Sequence, residues 1–206
     1  MMYKIFFKRM IDIVLSVLAF PFFVLLYILV GIAIKIEDKG SIFYCGERLG
    51  LNLKSFKMYK FRSMKENSKD IRNEDGSTYN SDNDDRVTMV GKVIRKLSVD
   101  EIPQVINVLK GDMSFIGPRP SPMGNKSLYN ENYLRKFSVR PGLSGYNQAY
   151  FRNDASLEEK QKNDLYYVDN LSLYLDFKIF IMTINKVIKR EGINNKLQQE
   201  VEMKID

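Results

Sequence analysis

Between Ile13 and Ile34 the chain carries no charged side chain, and a run of that length exceeds the roughly 20 apolar residues that take a helix across a bilayer core. Pro21 falls inside the run, where it removes a helical hydrogen bond and bends or breaks the helix. Lys4, Lys8 and Arg9 precede the run, and Lys35, Lys39, Arg48, Lys54 and Lys57 follow it, so both flanks are basic. Basic flanks favour the cytoplasmic side. A segment that enters, turns near Pro21 and leaves on the same face satisfies both ends, whereas a span strands one. The pattern predicts a re-entrant membrane helix hairpin over residues 1–36, with Lys8, Arg9 and Pro21 as anchoring positions. A signal peptide fits less well, because its apolar core is only about 7 to 15 residues long.

After Gly40 the period changes. Ile42-Phe43-Tyr44 and the stretch from Ser55 to Phe61 read as two short strands around a turn carrying Gly46, Gly50 and Asn52. From Glu66 to Arg86 the chain is rich in Asn, Asp, Ser and Gly and reads as a long loop. Asp82, Asp84 and Asp85 lack the glycine and terminal glutamate of a calcium loop, and are expected to be a solvated cluster. Val90, Val93, Ile94 and Leu97 form a helical stripe. A second helix is predicted to start at Ser98, where Ser98 and Glu101 have capping-box spacing and Pro103 is tolerated in the first turn. Val105, Ile106, Val108 and Leu109 supply its apolar face, and Gly111 stands where a left-handed residue would end it. Tyr129, Tyr133, Leu134 and Phe137 repeat at helical spacing as a core-facing stripe. Phe177, Phe180, Ile181, Ile184 and Ile188 mark an amphipathic helix that lies in a membrane interface or packs on the core. The fold class is α+β and mainly helical: the hairpin, a domain over 37–192 with a short β-hairpin and amphipathic interfacial helices, and a polar tail over 193–206.

Candidate chemistry concentrates on two adjacent acids. The chain has no histidine, so base or nucleophile duty falls on Asp, Glu, Lys, Tyr, Ser or the single Cys45. Asp100 and Glu101 stand at a predicted helix start, where acids often do no more than stabilise the helix dipole. In the sharper reading one carboxylate is a nucleophile or base and the other a ligand for a hard divalent cation. Lys60 and Arg62 leave a strand end, Arg95 lies shortly before the acids, and Pro118 and Pro120 restrict the backbone around Arg119. Each could grip an anion or lie in solvent. A formal net charge of +7 points to anionic partners without choosing among them. Cys45 has no partner for an internal disulfide and is read as structural.

In order along the chain, Lys8-Arg9-Met10-Ile11-Asp12, Tyr59-Lys60-Phe61-Arg62-Ser63-Met64, Asp100-Glu101-Ile102-Pro103-Gln104, Gly111-Asp112-Met113-Ser114, Gly117-Pro118-Arg119-Pro120, Arg140-Pro141-Gly142 and Tyr167-Val168-Asp169-Asn170 resemble the bacterial sugar transferase family, the small monotopic polyprenyl-phosphate phosphoglycosyl transferases. The resemblance implies a catalytic domain at the cytoplasmic face of the bacterial inner membrane that moves a sugar 1-phosphate from a UDP-sugar to undecaprenyl phosphate. UMP would be released and a surface glycan begun. It makes Asp100 the nucleophile and Glu101 a ligand for Mg2+, and it places Lys60, Arg62, Arg95, Arg119, Arg152 and Asp176 among the substrate-binding residues. Membrane lipid is an implied partner and nucleic acid is not; oligomeric state and the sugar stay open. Two positions depart from the family pattern: Phe20 precedes Pro21 where a small hydroxyl residue is frequent, and Gly145-Tyr146-Asn147-Gln148 lacks a tryptophan. The competing expectation is a non-enzymatic basic adaptor that binds anionic lipid or nucleic acid at the membrane surface.

Overall fold

In a computed structural model, which describes residues 2–69, 71, 79, 84–151 and 156–189, the apolar run is one continuous helix, α1 (Lys8–Asp38). A π-helical turn over Tyr3–Phe7 precedes it, and Lys39 ends it in the left-handed conformation with φ 58°. Helix α1 runs unbroken through Pro21, so the expected hairpin of two helices is not formed. The physical reason is that proline removes a single amide donor, while a true break in an apolar medium would leave several backbone groups unsatisfied. Both ends of α1 nevertheless dock on the same domain. At its start Arg9 and Asp12 bond residues 108–115, and at its finish Asp38 pairs with Arg62. Between them, Val17, Leu18, Phe22, Leu25, Leu29 and Ile32 each keep more than half of their surface exposed, as lipid-facing residues do.

The remaining elements form three small, connected cores. Strands β1 (Phe43–Leu49) and β2 (Ser55–Phe61) pair antiparallel from Phe43↔Phe61 to Leu49↔Ser55, and β1 runs five residues past the expected Tyr44 because Gly46 continues in the strand. Asn52 and Leu53 take positive φ in the turn between them. Exposed Cys45 on β1 carries no structural burden. Next come α2 (Met89–Lys96), α3 (Gln104–Lys110), β3 (Ser114–Ile116), β4 (Ser121–Pro122), α4 (Glu131–Leu134), β5 (Gly142–Ser144), α5 (Tyr146–Tyr150), α6 (Leu157–Asp169) and α7 (Leu173–Lys189). The sheets have the order β2-β1-β4 and a parallel β3-β5 pair. Phe23, Val30 and Ile34 of α1 pack with Phe61, Ile94 and Val105. Ile116, Val139, Ala149, Tyr167, Leu175 and Ile179 form a second cluster, and Met58, Val108 and Met113 a third. Phe115 packs against all three.

The aromatic stripe is core-facing as expected at Tyr133 and Phe137. In α7 the core contacts are made by Leu175 and Ile179, while Phe177, Phe180, Ile181 and Ile184 stay exposed. The acidic loop and the tail over 193–206 fall largely or wholly outside the described residues; Asp84, within them, is buried and paired with Arg86 at 2.6 Å instead of being solvated.

Candidate active site

The acid pair sits at a corner between two helices. Thr88 caps α2, accepting from the Gly91 amide at 2.9 Å, and the helix ends at Leu97. Ser98 then turns left-handed with φ 56° and makes no side-chain cap, so the predicted capping box does not form. A serine in that conformation costs about 1 kcal/mol, and the return is a sharp reversal into a 3₁₀ turn, Val99–Glu101, that presents both acids before Pro103 admits α3. Gly111, at φ 91°, ends α3 as expected.

Opposite the turn runs β2, and Lys60 Nζ reaches Glu101 Oε1 at 2.5 Å. Arg119 Nη2 approaches the same oxygen at 3.9 Å. Arg119 is 62% exposed at its side chain, yet its backbone is fixed. A Cβ on Gly117 would lie 2.5 Å from the Arg140 carbonyl, so only glycine lets this loop lie against the Arg140-Pro141-Gly142 loop. There the Gly142 amide donates to the Pro118 carbonyl at 3.0 Å. Arg95 of α2 adds its charge on the Asp100 side.

These surroundings tune the two carboxyls in opposite directions. Burial dominates at Asp100 and, helped by the adjacent Glu101 charge, pushes it up to about 6 against the attraction of Lys60 and Arg95. At Glu101 burial also acts upward, but Lys60, Arg119 and the Lys60 hydrogen bond override it and hold the group at about 2. At neutral pH both are ionised, Glu101 firmly and Asp100 with a basicity that suits a nucleophile. Two neighbouring carboxylates are the hard oxygen donors that Mg2+ takes, and that ion characteristically uses one or two of them with water and substrate phosphate completing the shell. Among the described residues no cluster of three His, Cys, Asp or Glu side chains could form a dedicated cage. Asp100 and Glu101 are donors of the kind that an ion shared with a phosphate would take.

Two residues expected among the substrate contacts bond protein groups away from the acid turn. Arg62 pairs through both terminal nitrogens with Asp38, donates from Nε to the Ser41 carbonyl at 2.5 Å and from Nη1 to the Met64 carbonyl at 3.1 Å. It is 7% exposed and fastens the end of α1. Asp176 is buried, accepting from Lys8 Nζ at 2.6 Å, Tyr3 hydroxyl at 2.5 Å and Tyr167 hydroxyl at 2.7 Å. It joins the start of α1 to α6 and α7. Arg152 lies outside the described residues. Of the anchor positions, Lys8 serves Asp176, and Arg9 donates to the Val108 and Leu109 carbonyls at 2.6 and 2.9 Å, closing the C-terminal end of α3.

Sequence reasoning missed Glu37, whose carboxylate accepts from the Met89 and Val90 amides at 2.6 and 3.0 Å and so caps α2 from α1. No local spacing signals a cap that arrives from fifty residues away. The two ends of the membrane helix thus hold the two helices that flank the acid turn.

A family model described as bacterial sugar transferase matches residues 3–190. The chain is 41% identical over 193 residues to the UDP-N-acetylgalactosamine-undecaprenyl-phosphate N-acetylgalactosaminephosphotransferase of Aeromonas hydrophila, covering 91% of this chain and 45% of that one. It is 40% identical over 188 residues to the uncharacterized sugar transferase EpsL of Bacillus subtilis (90% and 89% covered). To the exopolysaccharide production protein ExoY of Rhizobium meliloti it is 38% identical over 196 residues (90% and 87%). This chain therefore spans about half of the Aeromonas relative and nearly all of the other two. With the match running from the start of the membrane helix to the end of α7, the chain belongs to the bacterial sugar transferase family.

Proposed function

We propose that this protein transfers a sugar 1-phosphate from a UDP-sugar to undecaprenyl phosphate in two displacement steps at phosphorus. An Asp100 carboxylate oxygen attacks the sugar-bearing phosphorus. The bond from that phosphorus to the bridging oxygen breaks, and UMP leaves with the electron pair. A phosphate oxygen of undecaprenyl phosphate then attacks the same phosphorus, the bond to Asp100 breaks, and the carboxylate is regenerated with the diphosphate-linked sugar as product. Lys60 and Arg119 offset the negative charge of the phosphates, and Arg95 stabilises the ionised Asp100. Mg2+, held by Glu101, supplies further charge neutralisation when bound. The carrying observation is the placement of two adjacent carboxyls on one turn, with Lys60 at 2.5 Å and Arg119 at 3.9 Å from Glu101. The name of the Aeromonas relative supports the carrier lipid and the nucleotide sugar.

The setting is monotopic, at the cytoplasmic face of the inner membrane. Docking of both ends of α1 on one domain supports this, together with basic residues on both flanks. Incubation with a UDP-sugar and Mg2+ but no lipid acceptor is expected to leave a sugar-phosphate adduct on Asp100, read by intact mass and peptide mapping. A panel of UDP-sugars identifies the donor. An active enzyme that never carries the adduct overturns the covalent step. Absence of Mg2+-dependent UMP release, with vesicle binding that falls steeply with salt, establishes the adaptor instead.

A further inference from the structure

Strand β2 is the outer strand of its sheet, paired by β1 alone, and an outward-facing N–H or carbonyl on such a strand needs another partner when buried. The carboxamide of Asn107 in α3 supplies both. Its Oδ1 accepts from the Tyr59 amide at 2.9 Å, and its Nδ2 donates to the Lys57 carbonyl at 2.7 Å. Residues two apart on a strand point the same way, so one side-chain amide closes both groups as a neighbouring strand would. The second Nδ2 proton goes to Asp112 Oδ2 at 3.1 Å, which fixes which end of the amide faces which backbone group. Asn107 has no exposed surface, and its own carbonyl accepts from the amides of Gly111, Asp112 and Met113. The residue is therefore pinned through its side chain and its backbone.

Its place in the chain gives this clamp a consequence for the site. Glu101 lies six residues before Asn107, joined to it through the bonds Val105 to Ile102 (3.0 Å) and Ile106 to Pro103 (3.0 Å). Lys60 directly follows Tyr59. Strand, helix, acid turn and the Lys60–Glu101 contact at 2.5 Å thus close a ring whose far side is the Asn107 amide. Lysine has a long stem of rotatable bonds, so a lysine whose strand is free to shift does not meet a fixed carboxylate at a constant reach. We propose that Asn107 is a positioning residue for the transfer reaction: by holding the Lys57–Tyr59 edge against α3 it sets the reach of Lys60 to the acid pair. This inference rests on the phosphoglycosyl transfer proposed above.

The test compares Asn107→Ala, Asn107→Asp, Asn107→Asp with Asp112→Asn, and Ile179→Ala, a buried residue of α7 in the cluster that excludes β2. Each is assayed for Mg2+-dependent UMP release in its membrane-bound form, at the same interval below its melting temperature. Misplacement by about 1 Å can cost a hundredfold, so Asn107→Ala is expected to lose about tenfold or more in kcat, with KM for the UDP-sugar moving less than about threefold and faster amide exchange at Tyr59. Asn107→Asp keeps the acceptor for Tyr59 but opposes the Lys57 carbonyl and Asp112. The added Asp112→Asn change returns a donor to that carboxylate and is expected to recover about threefold in kcat. Ile179→Ala is expected to stay within about threefold of wild type once matched for stability. An active wild type with Asn107→Ala tracking Ile179→Ala overturns the inference alone. A wild type that releases no UMP overturns the transfer reading and this inference with it.

Discussion

Asp100 and Glu101 are neighbours in sequence and opposites in environment. A carboxyl raised by burial favours its protonated form in the fold, so Asp100 contributes stability that is complete below its unfolded value near 3.8 and is lost as pH rises through about 6. Glu101, held at about 2, contributes in the other direction: its stability is present above its unfolded value of 4.5 and is lost as pH falls through about 2. The Asp100→Asn variant is therefore expected to melt a few degrees above wild type at pH 7.5 in metal-free buffer, with the difference vanishing below pH 4, while its UMP release falls to background. Differential scanning calorimetry across that range checks the sign. A second expectation is an acid limb in kcat/KM for the wild type, falling about tenfold per pH unit below about 6 as Asp100 protonates. The acid pair was legible from the sequence because adjacent carboxylates before a helix, in a chain without histidine, leave few other groups for this chemistry. The division of Lys60 from Arg62 was not. Both are basic and two residues apart, but the strand ends between them at Phe61, and only the tertiary structure sends one to Glu101 and the other to Asp38.

Helices α2 and α3 owe their placement to partners far away in sequence, and this is where local patterns misled. Ser98 and Glu101 have capping-box spacing, yet Ser98 adopts φ 56° because α2 has to end and reverse there. Gly111 fulfilled its expectation because its left-handed conformation is demanded by the backbone alone. In α7 the spacing of apolar residues marked a stripe, but periodicity does not say which of two apolar faces meets the core; Leu175 and Ile179 do. The Arg62 clamp gives a prediction at this scale. Replacing Arg62 with Leu removes the partner of Asp38 and leaves the carbonyls of Ser41 and Met64 without their donor. Because Asp38 is 29% exposed, the expected loss is about 2 kcal/mol instead of the full cost of breaking a buried pair. Lys60→Met strips Glu101, 28% exposed, of its main cation and is expected to cost a comparable amount, about 2 kcal/mol, but unlike Arg62→Leu to lose most UMP release when assayed at matched stability. Denaturant unfolding beside the activity assay separates a latch from a substrate contact. If Arg62→Leu kept full stability and lost only turnover, Arg62 would return to the substrate side.

For the molecule as a whole, the question is how a helix long enough to cross a bilayer belongs to a domain that holds both of its ends. As a straight rod, 31 residues extend about 46 Å, more than the roughly 30 Å hydrocarbon core. The start of α1 is fixed by Lys8 to Asp176, Arg9 to α3 and Asp12 to Ser114 and Phe115; its finish is fixed by Glu37 to α2 and Asp38 to Arg62. All those partners lie in one small domain. With charged groups at both ends committed to it, a transmembrane arrangement would either tear one set of contacts or carry the domain into the lipid. The monotopic setting proposed above then places the exposed apolar face of α1 in one leaflet with both ends on the same side, while Phe23, Val30 and Ile34 keep the other face on the domain. Cysteines placed at Lys4 and at Lys39 in a Cys45→Ser background, in sealed inverted vesicles, are both expected to react with a membrane-impermeant maleimide from the outside. Labelling of Lys39→Cys alone, with Lys4→Cys reacting only after detergent, would show the helix to be a span and would mean that the contacts of Lys8, Arg9 and Asp12 do not form in the bilayer. Loss of Lys8 is the sharper variant of the same test, since Lys8→Met leaves Asp176 with two tyrosine donors and no cation. It is expected to lower the melting temperature and loosen the start of α1 while Lys39→Cys remains accessible, because the two anchors fail independently.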